Sequence, residues 1–531
     1  MNKLPKPLAF IKDRLSELNS LKPSDVIKVI KESDVQAEDL GPWADFQHPT
    51  ADSYGRKLVY KAPNFEIMVM SWMPGDFSTI HDHGYTTWGA VKVFGPNEHA
   101  TFRVEDDKIY TLTRTDFETG QIVGVGHNLI HQMGNPTKEN ILTLHIYGLE
   151  EEKTNVTGDA RLYELDSNTI QIINGGVFFD LKPNQIAKTI AGPKGDFPTQ
   201  LRHLVELAKR MQTNKQPQEK IEAIKSRISS ADALHELHQY IDTITDANHH
   251  SIDSSQWNIL NREMKVTAQF LEEKENPADL FHKYAQLYDA LICQPCFDNF
   301  IEGYLTFFVN NFVEDIREKQ IISLGCGTGM VEEQMMTKFG VAKSHVYGID
   351  FSASMAEEAK KRINADVGDI LTLDPLVKRW DIAFSGLNVY QYLDSERLEE
   401  AIEKTADIIK SGGYFVGDFI TPDHIRWYPN VMFSPDKKII SLRTPRLIEK
   451  EGKMFQESEI INIDYSRELL SVNYAGKHKR FLVPLHRVRS YFETHFKGAV
   501  KLFDAISLKE IAASDDTCLS TRYFVVARKK G

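Results

Sequence analysis

The hydrophobic and polar positions change period along the chain, and these changes divide it into three parts. Before residue 54 apolar residues recur at helical spacing, and up to residue 190 they form short β-prone runs interrupted by Gly, Pro, Asn and Asp. Helical periodicity returns after a linker-like stretch at 191–198, and later strand-like and helical segments alternate. We therefore predict a β-domain with flanking helices over residues 1–190, an α-helical connector over 191–280 and an α/β domain over 281–531.

Composition limits the classes of partner. At 531 residues the chain is too long for one core, and its 41% hydrophobic and 26% charged content is ordinary for a soluble protein. A net charge of −12 argues against nucleic acid as a partner, because phosphate binding needs basic clusters. The four cysteines make no disulfide framework, and no apolar run has the length of a signal peptide or a membrane span. We expect a cytoplasmic protein with no membrane partner and an unknown oligomeric state.

Two closely spaced histidines provide the first candidate chemistry. His81 and His83 are separated by one residue, so in an extended strand both imidazoles point to the same face. Pro74-Gly75 precedes them and indicates a turn or bulge that aims these side chains. Two histidines on one face of a strand are half of a metal site.

The wider spacing resembles the cupin barrel of the cysteine dioxygenase family. A glycine, five residues and His81-x-His83 are followed further along by His131-x3-Asn135. The resemblance implies ferrous iron bound by three histidines, His81, His83 and His131. Many cupins add a glutamate soon after the second histidine, but residues 84–88 contain no carboxylate. Three neutral histidines leave the full charge on the metal, which favours an anionic thiolate and leaves positions open for dioxygen.

Two further segments carry the resemblance, which spans about residues 8–147. Tyr54-Gly55-Arg56 resembles the family segment whose arginine binds the substrate carboxylate, so Arg56 is expected to make a forked contact with that group. Residues 143–147 read Thr-Leu-His-Ile-Tyr and resemble the family's Ser-x-His-x-Tyr, which implies a hydrogen-bonded relay of His145 and Tyr147 beside the metal.

Two details bear on the substrate and on the tyrosine. Related mercaptopropionate dioxygenases usually carry another residue at the position of Arg56, so this arginine favours cysteine, although a peptide-borne cysteine stays open. The eukaryotic enzymes crosslink the tyrosine to a cysteine that follows the His-x-His segment. This chain has Trp88 or Gly89 in that neighbourhood, so Tyr147 is expected to act unmodified.

A second candidate site follows a buried strand in the C-terminal part. The apolar run 321–324 leads into the glycine-rich stretch Gly325-Cys326-Gly327-Thr328-Gly329. Glycines there let a cofactor approach the backbone closely, where main-chain N–H groups supply contacts. Met330 stands where a dinucleotide-binding motif needs its last glycine, so a nicotinamide cofactor is disfavoured. The next predicted strand ends in Asp350, a carboxylate suited to two ribose hydroxyls.

From about residue 284 the series of strands and helices resembles the class I S-adenosylmethionine-dependent methyltransferases, which implies a Rossmann-like α/β fold. The resemblance places three glycines against the methionine moiety, Asp350 on the ribose, and Asp369 with Ile370 near the adenine. The three glycines are Gly325, Gly327 and Gly329.

The methyl acceptor is expected beyond the carboxyl ends of the strands, where open α/β sheets bind ligands. The candidate acceptor residues follow the fourth strand and are Asn388, Tyr390 and Tyr392. Residues 437–484 predict a β-rich insertion that shapes this pocket, and its other candidate contributors are His424, Trp427 and Arg443.

These features together predict a bifunctional enzyme. One domain would oxidise cysteine or a related small thiol to a sulfinate, with iron and dioxygen. The other would transfer a methyl group from S-adenosylmethionine to the product or a related sulfur-containing small molecule, on nitrogen, oxygen or the sulfinate sulfur. The alternative is a methyltransferase whose cupin domain is a non-catalytic metal or ligand sensor. The sequence leaves the acceptor and the order of the two reactions open.

Overall fold

The computed structural model divides into two compact units, Met1–Tyr240 with Asp253–Phe270 and Ile241–Ile252 with Leu271–Gly531. The structure describes residues 4–18, 21–50, 52–150, 155–179, 181–247, 251–271, 279–282, 284–466 and 471–531. Within these ranges no helix combines the length and the apolar character needed to cross a membrane. The domain boundaries at residues 190 and 280 stay predictions.

The elements up to residue 271 are helices α1 to α7 and strands β1 to β12. The helices are α1 Lys6–Glu17, α2 Pro23–Ser33, α3 Ala37–Leu40, α4 Phe197–Thr213, α5 Gln218–Ile228, α6 Ala231–Ile244 and α7 Ser254–Leu271. The strands are β1 Gly55–Lys61, β2 Phe65–Trp72, β3 Trp88–Val93, β4 Asn97–Glu105, β5 Lys108–Phe117, β6 Ile122–Gly126, β7 Ile130–Gly134, β8 Ile141–Gly148, β9 Ala160–Glu164, β10 Thr169–Ile173, β11 Ile186–Ala191 and β12 Lys194–Gly195.

The first unit has a cupin-like β fold, as the sequence predicts. One sheet has the order β1-β2-β8-β3-β6, a second has β12-β5-β4-β7, and a third has β11-β10-β9. Every residue of β2 is buried, because helices cover its outer face. Ile67 and Val69 pack in the same cluster as the apolar stripes of α1 and α2, whereas Met68, Met70 and Trp72 face the interior.

The helices α4 and α7 pack against β4 and β5 through buried ion pairs. Glu263 of α7 lies 2.6 Å from the Arg114 guanidinium of β5 and 3.1 Å from Arg202 of α4. Glu98 of β4 is bound by Arg114, Arg202 and Arg262. Charged groups removed from water need such paired geometry. The helical character predicted for residues 191–280 is confirmed by α4 to α7, and this packing joins the helices to the β-domain.

The remaining elements are helices α8 to α14 and strands β13 to β23. The helices are α8 Ala285–Tyr288, α9 Gln294–Cys296, α10 Glu302–Phe312, α11 Met330–Phe339, α12 Ala353–Ala359, α13 Ser395–Ile408 and α14 Leu485–Phe496. The strands are β13 Ile321–Leu324, β14 Val346–Asp350, β15 Asn364–Val367, β16 Trp380–Ser385, β17 Ile409–Ile420, β18 Val431–Phe433, β19 Ile439–Lys450, β20 Lys453–Asp464, β21 Ser471–Phe481, β22 Val500–Asp504 and β23 Arg522–Arg528.

The second unit is built on a seven-stranded sheet with the order β15-β14-β13-β16-β17-β23-β22. The strands β13 to β17 are parallel, and β23 runs antiparallel to both of its neighbours. Alternate residues of each strand enter different cores, since Ile322 packs with α13 and α14 whereas Ile321 packs with α10 and α11. Helices therefore cover both faces, and the predicted Rossmann-like α/β fold is confirmed.

The predicted β-rich insertion is also present. The strands β18 to β21 form a separate antiparallel sheet between β17 and α14 in the chain. The hairpin β19–β20 has twelve paired positions from Ile439↔Asp464 to Lys450↔Lys453. The next pairing, β20 with β21, is also antiparallel and places Arg480 opposite Gln456.

Candidate active sites

The segment that carries the first two histidines lies between β2 and β3. A continuous strand is expected from the sequence, but the structure has isolated bridges, at Phe77 with Gly134 and at His81 with His131. His81 and His131 exchange backbone hydrogen bonds of 3.0 and 2.9 Å. On its other side the segment pairs with β9, where Asp82 N–H donates to the Arg161 carbonyl. Bonding to strands on two sides fixes the segment without a long ladder.

Three buried histidines converge in the first unit. One ring nitrogen from each of His81, His83 and His131 lies within 4.8 Å of the other two. The Nε2 atoms of His81 and His131 are 3.2 Å apart. Asp82 points elsewhere, because its carboxylate binds the Arg161 side chain and backbone N–H. The cluster therefore offers three imidazoles and no carboxylate.

The hydrogen bonds of the histidines fit a metal. The Nδ1 of His81 is 2.9 Å from the Thr79 carbonyl and must donate to it, which leaves the Nε2 lone pair free. The Nδ1 of His131 lies 2.9 Å from Nε2 of His99, so this second ring can orient the first. Both buried ring nitrogens of His83 lack a hydrogen-bond partner with normal geometry. A buried imidazole without partners is costly unless it binds something, and a metal ion suits it.

Burial keeps these imidazoles neutral. It lowers the pKa of His81 to about 4, and burial together with the neighbouring histidines lowers the pKa values of His83 and His131 well below 6.5. Neutral imidazole is the form that ligates metals. The site is therefore in its metal-binding protonation state at neutral pH.

A chain of hydrogen bonds runs along β8 beside the histidines. The Trp72 indole N–H donates to Thr143 Oγ1 at 2.9 Å, Thr143 lies 2.7 Å from His145 Nε2, and His145 Nδ1 lies 2.7 Å from the Tyr147 hydroxyl. Because the indole only donates, the Thr143 proton is free to point to His145. In that arrangement His145 donates from Nδ1 to the Tyr147 oxygen, and the Tyr147 proton is available to the pocket.

The metal cluster, the relay and the arginine line one cavity of about 490 Å³. Arg56 contacts Thr157 Oγ1 at 3.2 Å and, within the described residues, makes no ion pair with a carboxylate. The Tyr54 ring stacks on Trp72 at 4.6 Å and closes one wall. The structure thus brings the six predicted residues of this site together, and their roles stay predictions.

Gly89 stands beside Tyr147 in the pairing of β3 with β8. A Cβ atom at Gly89 would lie 2.3 Å from the Ile146 carbonyl oxygen and 3.2 Å from the Tyr147 ring. The backbone therefore leaves no room for a cysteine at this position without a shift. This agrees with the expectation of an unmodified tyrosine.

The second unit has a cavity of about 2000 Å³ at the carboxyl ends of β13, β14 and β15. Gly325 and Gly327 line it with φ values of +75° and +56°. The conformation favours glycine, and a Cβ at Gly325 would lie 2.5 Å from the Val389 side chain. The Gly327 N–H donates to the Asp350 carboxylate at 2.8 Å. The loop and the carboxylate form a cradle that fits an adenosine-containing cofactor.

Most of the predicted cofactor residues line this cavity, namely Gly325, Gly327, Asp350, Asp369 and Ile370. Gly329 does not line it. Its φ of +75° caps α11, and an added Cβ would lie 3.2 Å from Ala359 of α12. Gly329 therefore serves the packing of the loop, which differs from its predicted contact with the methionine moiety.

Sequence reasoning missed two further carboxylates of the cavity. Asp279 accepts hydrogen bonds from Ser352 Oγ and Ser354 N–H, and Glu332 accepts one from Ser323 Oγ. Burial raises the pKa of Glu332 to about 7 and that of Asp350 to about 6. Only the fold shows these residues, because Asp279 lies before the glycine loop and Glu332 looks like an ordinary surface residue of a helix.

A second cavity of about 1100 Å³ adjoins the first in the second unit, and four residues line both cavities. Asn388 and Tyr392 line it, as do His424, Trp427 and Arg443. The shared residues are Phe281, Tyr288, Leu387 and Tyr392.

Tyr390 does not face either cavity. It is 1% exposed and packs on Phe415 and Phe419, and its hydroxyl is hydrogen-bonded to Thr405 Oγ1 at 2.5 Å. The short 3₁₀ helix Val389–Tyr392 turns this side chain into the core. The predicted contact of Tyr390 with the methyl acceptor is therefore corrected to a structural role.

The fold and these two sites define a chain with a three-histidine cupin domain and an α/β nucleotide-cofactor domain. Comparison with known protein families agrees with this division into two kinds of domain. Residues 3–149 match the family model of cysteine dioxygenase type I, and residues 321–413 match that of a methyltransferase domain. The chain therefore carries a cysteine dioxygenase-type domain followed by a methyltransferase-type domain.

Several solved structures similar to this chain are methyltransferases. An S-adenosylmethionine-dependent methyltransferase from Clostridium acetobutylicum is 18% identical, with a TM-score of 0.37, and the match covers 48% of this chain and 100% of that one. The CcbJ methyltransferase from Streptomyces caelestis is 14% identical, with a TM-score of 0.33 and coverage of 43% and 88%. DesVI from Streptomyces venezuelae is 16% identical, with a TM-score of 0.33 and coverage of 43% and 90%.

Proposed function

We propose that the chain is a bifunctional enzyme. The N-terminal domain oxidises cysteine or a related small thiol to a sulfinate, and the C-terminal domain methylates the product or a related sulfur-containing small molecule with S-adenosylmethionine. The observation that carries the first activity is the set of three buried neutral histidines in one cavity with Arg56 and Tyr147. The glycine cradle with Asp350 supports the second activity.

Each residue of the first site has a proposed task. His81, His83 and His131 would hold ferrous iron, which would supply a binding position for the thiolate and the redox chemistry that dioxygen requires. Arg56 would hold the substrate carboxylate by a forked contact, since this guanidinium has no protein carboxylate among the described residues. Tyr147, oriented by His145, would donate a hydrogen bond to an oxygen or sulfur atom of the bound reactants. In the overall reaction both oxygen atoms join the sulfur, which supplies all the electrons that dioxygen gains, so no external reductant is needed.

In the second site the acceptor atom would attack the methyl carbon with its lone pair. The bond between methyl and sulfur breaks as the new bond forms, and its electron pair stays on the sulfur of S-adenosylhomocysteine. An amine acceptor would release one proton to solvent, whereas a sulfinate is already anionic and needs no base. The contribution of the protein is to hold the acceptor in line with the bond that breaks.

The first activity can be tested by loading the full chain anaerobically with ferrous iron and measuring oxygen uptake with cysteine, 3-mercaptopropionate and cysteamine. Cysteine should consume oxygen, and Arg56→Gln should raise its KM while the iron content per chain stays unchanged. His83→Ala should lose both iron and activity. A protein that binds iron but consumes no oxygen with any thiol would refute the dioxygenase proposal and favour a sensor domain.

The cofactor site of the second activity is tested by measuring the binding of S-adenosylhomocysteine by calorimetry. Wild-type protein should bind it, and Asp350→Ala should weaken binding because the ribose hydroxyls lose their acceptor. Asp366→Ala is a suitable control, since this neighbouring carboxylate does not line the cavity. Equal affinities of the three proteins would contradict the assignment of Asp350.

A further inference from the structure

The cavity beside the proposed cofactor site is positively charged. Arg443, Arg480 and Arg522 line it, and its described lining contains no aspartate or glutamate. Arg522 is neutralised by the buried Asp418, to which it is directly paired. Arg443 and Arg480 have no carboxylate partner in the described chain. Two guanidinium groups therefore bring uncompensated charge into a largely buried pocket.

The hydrogen-bond partners of Arg443 and Arg480 are uncharged hydroxyl groups. The Nε of Arg443 donates to Ser441 Oγ at 3.2 Å. Arg443 is 4% exposed and donates to the Tyr284 and Tyr428 hydroxyls at 3.0 and 3.3 Å. Arg480 donates to the Tyr392 hydroxyl at 3.1 Å, and its buried Nε and Nη1 lack hydrogen-bond partners with normal geometry. Neutral hydroxyl groups do not balance two buried positive charges, so without a ligand this arrangement costs free energy.

The surroundings hold Arg480 in place. His478 Nε2 lies 3.1 Å from the Ala475 carbonyl and must donate to it, so its Nδ1 accepts from Tyr392 at 3.1 Å. The Tyr392 hydroxyl thus donates to His478 and accepts from Arg480. Burial and the two arginines lower the pKa of His478 to about 3, which keeps this ring neutral. The site is preorganised around a guanidinium with free donors.

A third free donor lines the same cavity. Asn388 is 4% exposed, and its side-chain oxygen accepts from Arg522. Among the residues that the structure describes, its amide nitrogen has no hydrogen-bond partner. The unsatisfied groups of Arg480 and Asn388 are all donors, so their ligand must be rich in acceptor oxygens.

The two adjoining cavities have opposite charge. The proposed cofactor cavity is lined by four carboxylates and one arginine, Arg397, and this negative balance suits a cationic sulfonium donor. The second cavity instead offers uncompensated arginines. The four carboxylates are Asp279, Glu332, Asp350 and Asp369. Charge complementarity of this kind sorts ligands between neighbouring sites.

We propose that the methyl acceptor is a small organic anion whose acid group is bound by Arg443 and Arg480. This inference rests on the proposed methyltransferase function and names its substrate class. A carboxylate and a sulfinate both present the oxygens that a guanidinium fork recognises. The sulfinated amino acid proposed as the product of the first domain carries both groups and therefore belongs to this class.

The acceptor class is tested by measuring S-adenosylhomocysteine release from the full chain with amines that differ in their acid group. Cysteine sulfinate carries carboxylate and sulfinate, β-alanine only carboxylate, hypotaurine only sulfinate, and cysteamine neither. Acceptors with an acid group should be methylated and cysteamine should not. β-Alanine and hypotaurine distinguish which acid group the arginines bind. Equal methylation of cysteamine would overturn the inference but leave the methyltransferase function standing.

Variants assign the binding to the arginines. Arg480→Gln and Arg443→Gln should each raise the KM for the acidic acceptor about 10- to 100-fold, because each loses charge-assisted hydrogen bonds. Arg480→Lys should recover part of the loss. Arg426→Gln removes one exposed positive charge outside the cavity and should have no effect. Unchanged S-adenosylhomocysteine affinity shows that each variant is folded, and unchanged KM in a folded variant would overturn the inference.

A binding measurement separates this inference from the proposed function. Calorimetry with cysteine sulfinate and S-adenosylhomocysteine is done in the Arg56→Gln background, which removes the arginine of the N-terminal cavity. Binding that disappears on adding Arg480→Gln supports the anion site even if no methyl transfer is found, and in that case only the proposed function fails. Absence of anion binding in the Arg56→Gln protein would overturn the anion site. If Arg480→Gln does not fold, Arg443→Gln and Arg480→Lys take its place.

Discussion

At the scale of single residues, both sites depend on groups whose hydrogen bonds are incomplete within the protein. His83 has two buried ring nitrogens without partners, and Arg480 has two buried donors in the same condition. Native proteins satisfy nearly all buried polar groups, so where such exceptions line a cavity, as His83 and Arg480 do, a ligand can complete their hydrogen bonds. The same argument therefore leads to a metal in the first unit and to an anion in the second.

The relay beside the metal cluster predicts the effect of removing one hydroxyl. Tyr147→Phe should lower kcat for thiol-dependent oxygen uptake about 10- to 100-fold, because the reactants lose a hydrogen bond from a buried phenol. Iron content should stay unchanged, since Tyr147 is not among the three ligands. Tyr110→Phe on β5, outside the cavity, is the control. Loss of iron in Tyr147→Phe would instead indicate a structural role.

Asp350 predicts a pH dependence of cofactor binding. Burial raises its pKa to about 6, although the N–H groups of Ser352 and Gly327 oppose this shift. The carboxylate is ionised above about pH 6 and accepts ribose hydroxyls best there, so affinity for S-adenosylhomocysteine should fall as the pH drops below about 6. Calorimetry across this range measures it. Asp350→Asn should bind weakly at every pH, and a wild-type affinity that does not change would contradict the prediction.

Tyr428 predicts the opposite trend for the anion site. Burial alone would raise its pKa, but Arg443 and Arg480 lower it to about 8. Above that pH the phenolate would compete for the two arginines, so affinity for cysteine sulfinate should fall. The other titratable groups that face it are Tyr284, Tyr392 and His424. Tyr428→Phe should keep its affinity for cysteine sulfinate as the pH rises. An equal loss of affinity in this variant would show that another group causes it.

At the scale of elements, buried ion pairs fasten α4 and α7 to the sheet that carries His99 and His131. Arg114 and Glu98 lie on β5 and β4, and the Gln132 side chain of β7 donates to Glu206 of α4. The helices therefore support the back of the strand that supplies the third histidine.

Removing one member of this network should destabilise the first unit. Glu263→Ala leaves Arg114 and Arg202 with one carboxylate fewer and should lower the free energy of unfolding by about 3–5 kcal/mol. Urea unfolding of the full chain measures the change. The transition that shifts when a metal ion is bound is assigned to the first unit. Glu222→Ala, on the exposed face of α5, should leave the midpoint unchanged. A urea midpoint of Glu263→Ala equal to that of the wild-type protein would show that the ion pairs add no net stability.

The sequence predicts the parts of the sites that are local in the chain. His81 and His83 are close in sequence, and Gly325 and Gly327 occupy one loop, so their spacing is enough. The distant residues of the first site, such as Arg56 and His131, are predicted only through the family resemblance. His99 is absent from the prediction, because it reaches its site through the pairing of β4 with β7, which are distant in the chain. Arg480 is absent because the pattern of the β-rich insertion does not show which of its side chains face the cavity. Tyr390 and Gly329 lie outside the cavities for a local reason. A 3₁₀ turn points the Tyr390 side chain into the core, and Gly329 caps α11, and residue type alone reveals neither.

At the scale of the whole molecule, one chain carries a proposed sulfur-oxidising site and a proposed methyl-transfer site. The first site holds Arg56 for a substrate acid group, and the second holds Arg443 and Arg480 for another. The product of thiol oxidation is more anionic than its substrate at neutral pH, because a sulfinate replaces a thiol. This change of charge suits the second site, and it favours the order in which oxidation comes before methylation.

The most direct test of this account is mass analysis of the products formed by the iron-loaded full chain with cysteine and oxygen, with and without S-adenosylmethionine. Without the methyl donor, the substrate should gain the mass of two oxygen atoms. With the donor, the product should gain in addition the mass that one methyl transfer adds, and S-adenosylhomocysteine should appear in equal amount. Methylation of cysteine without prior oxygen uptake, or oxidation whose product is never methylated, would contradict the proposal that the two sites act on one sulfur metabolite.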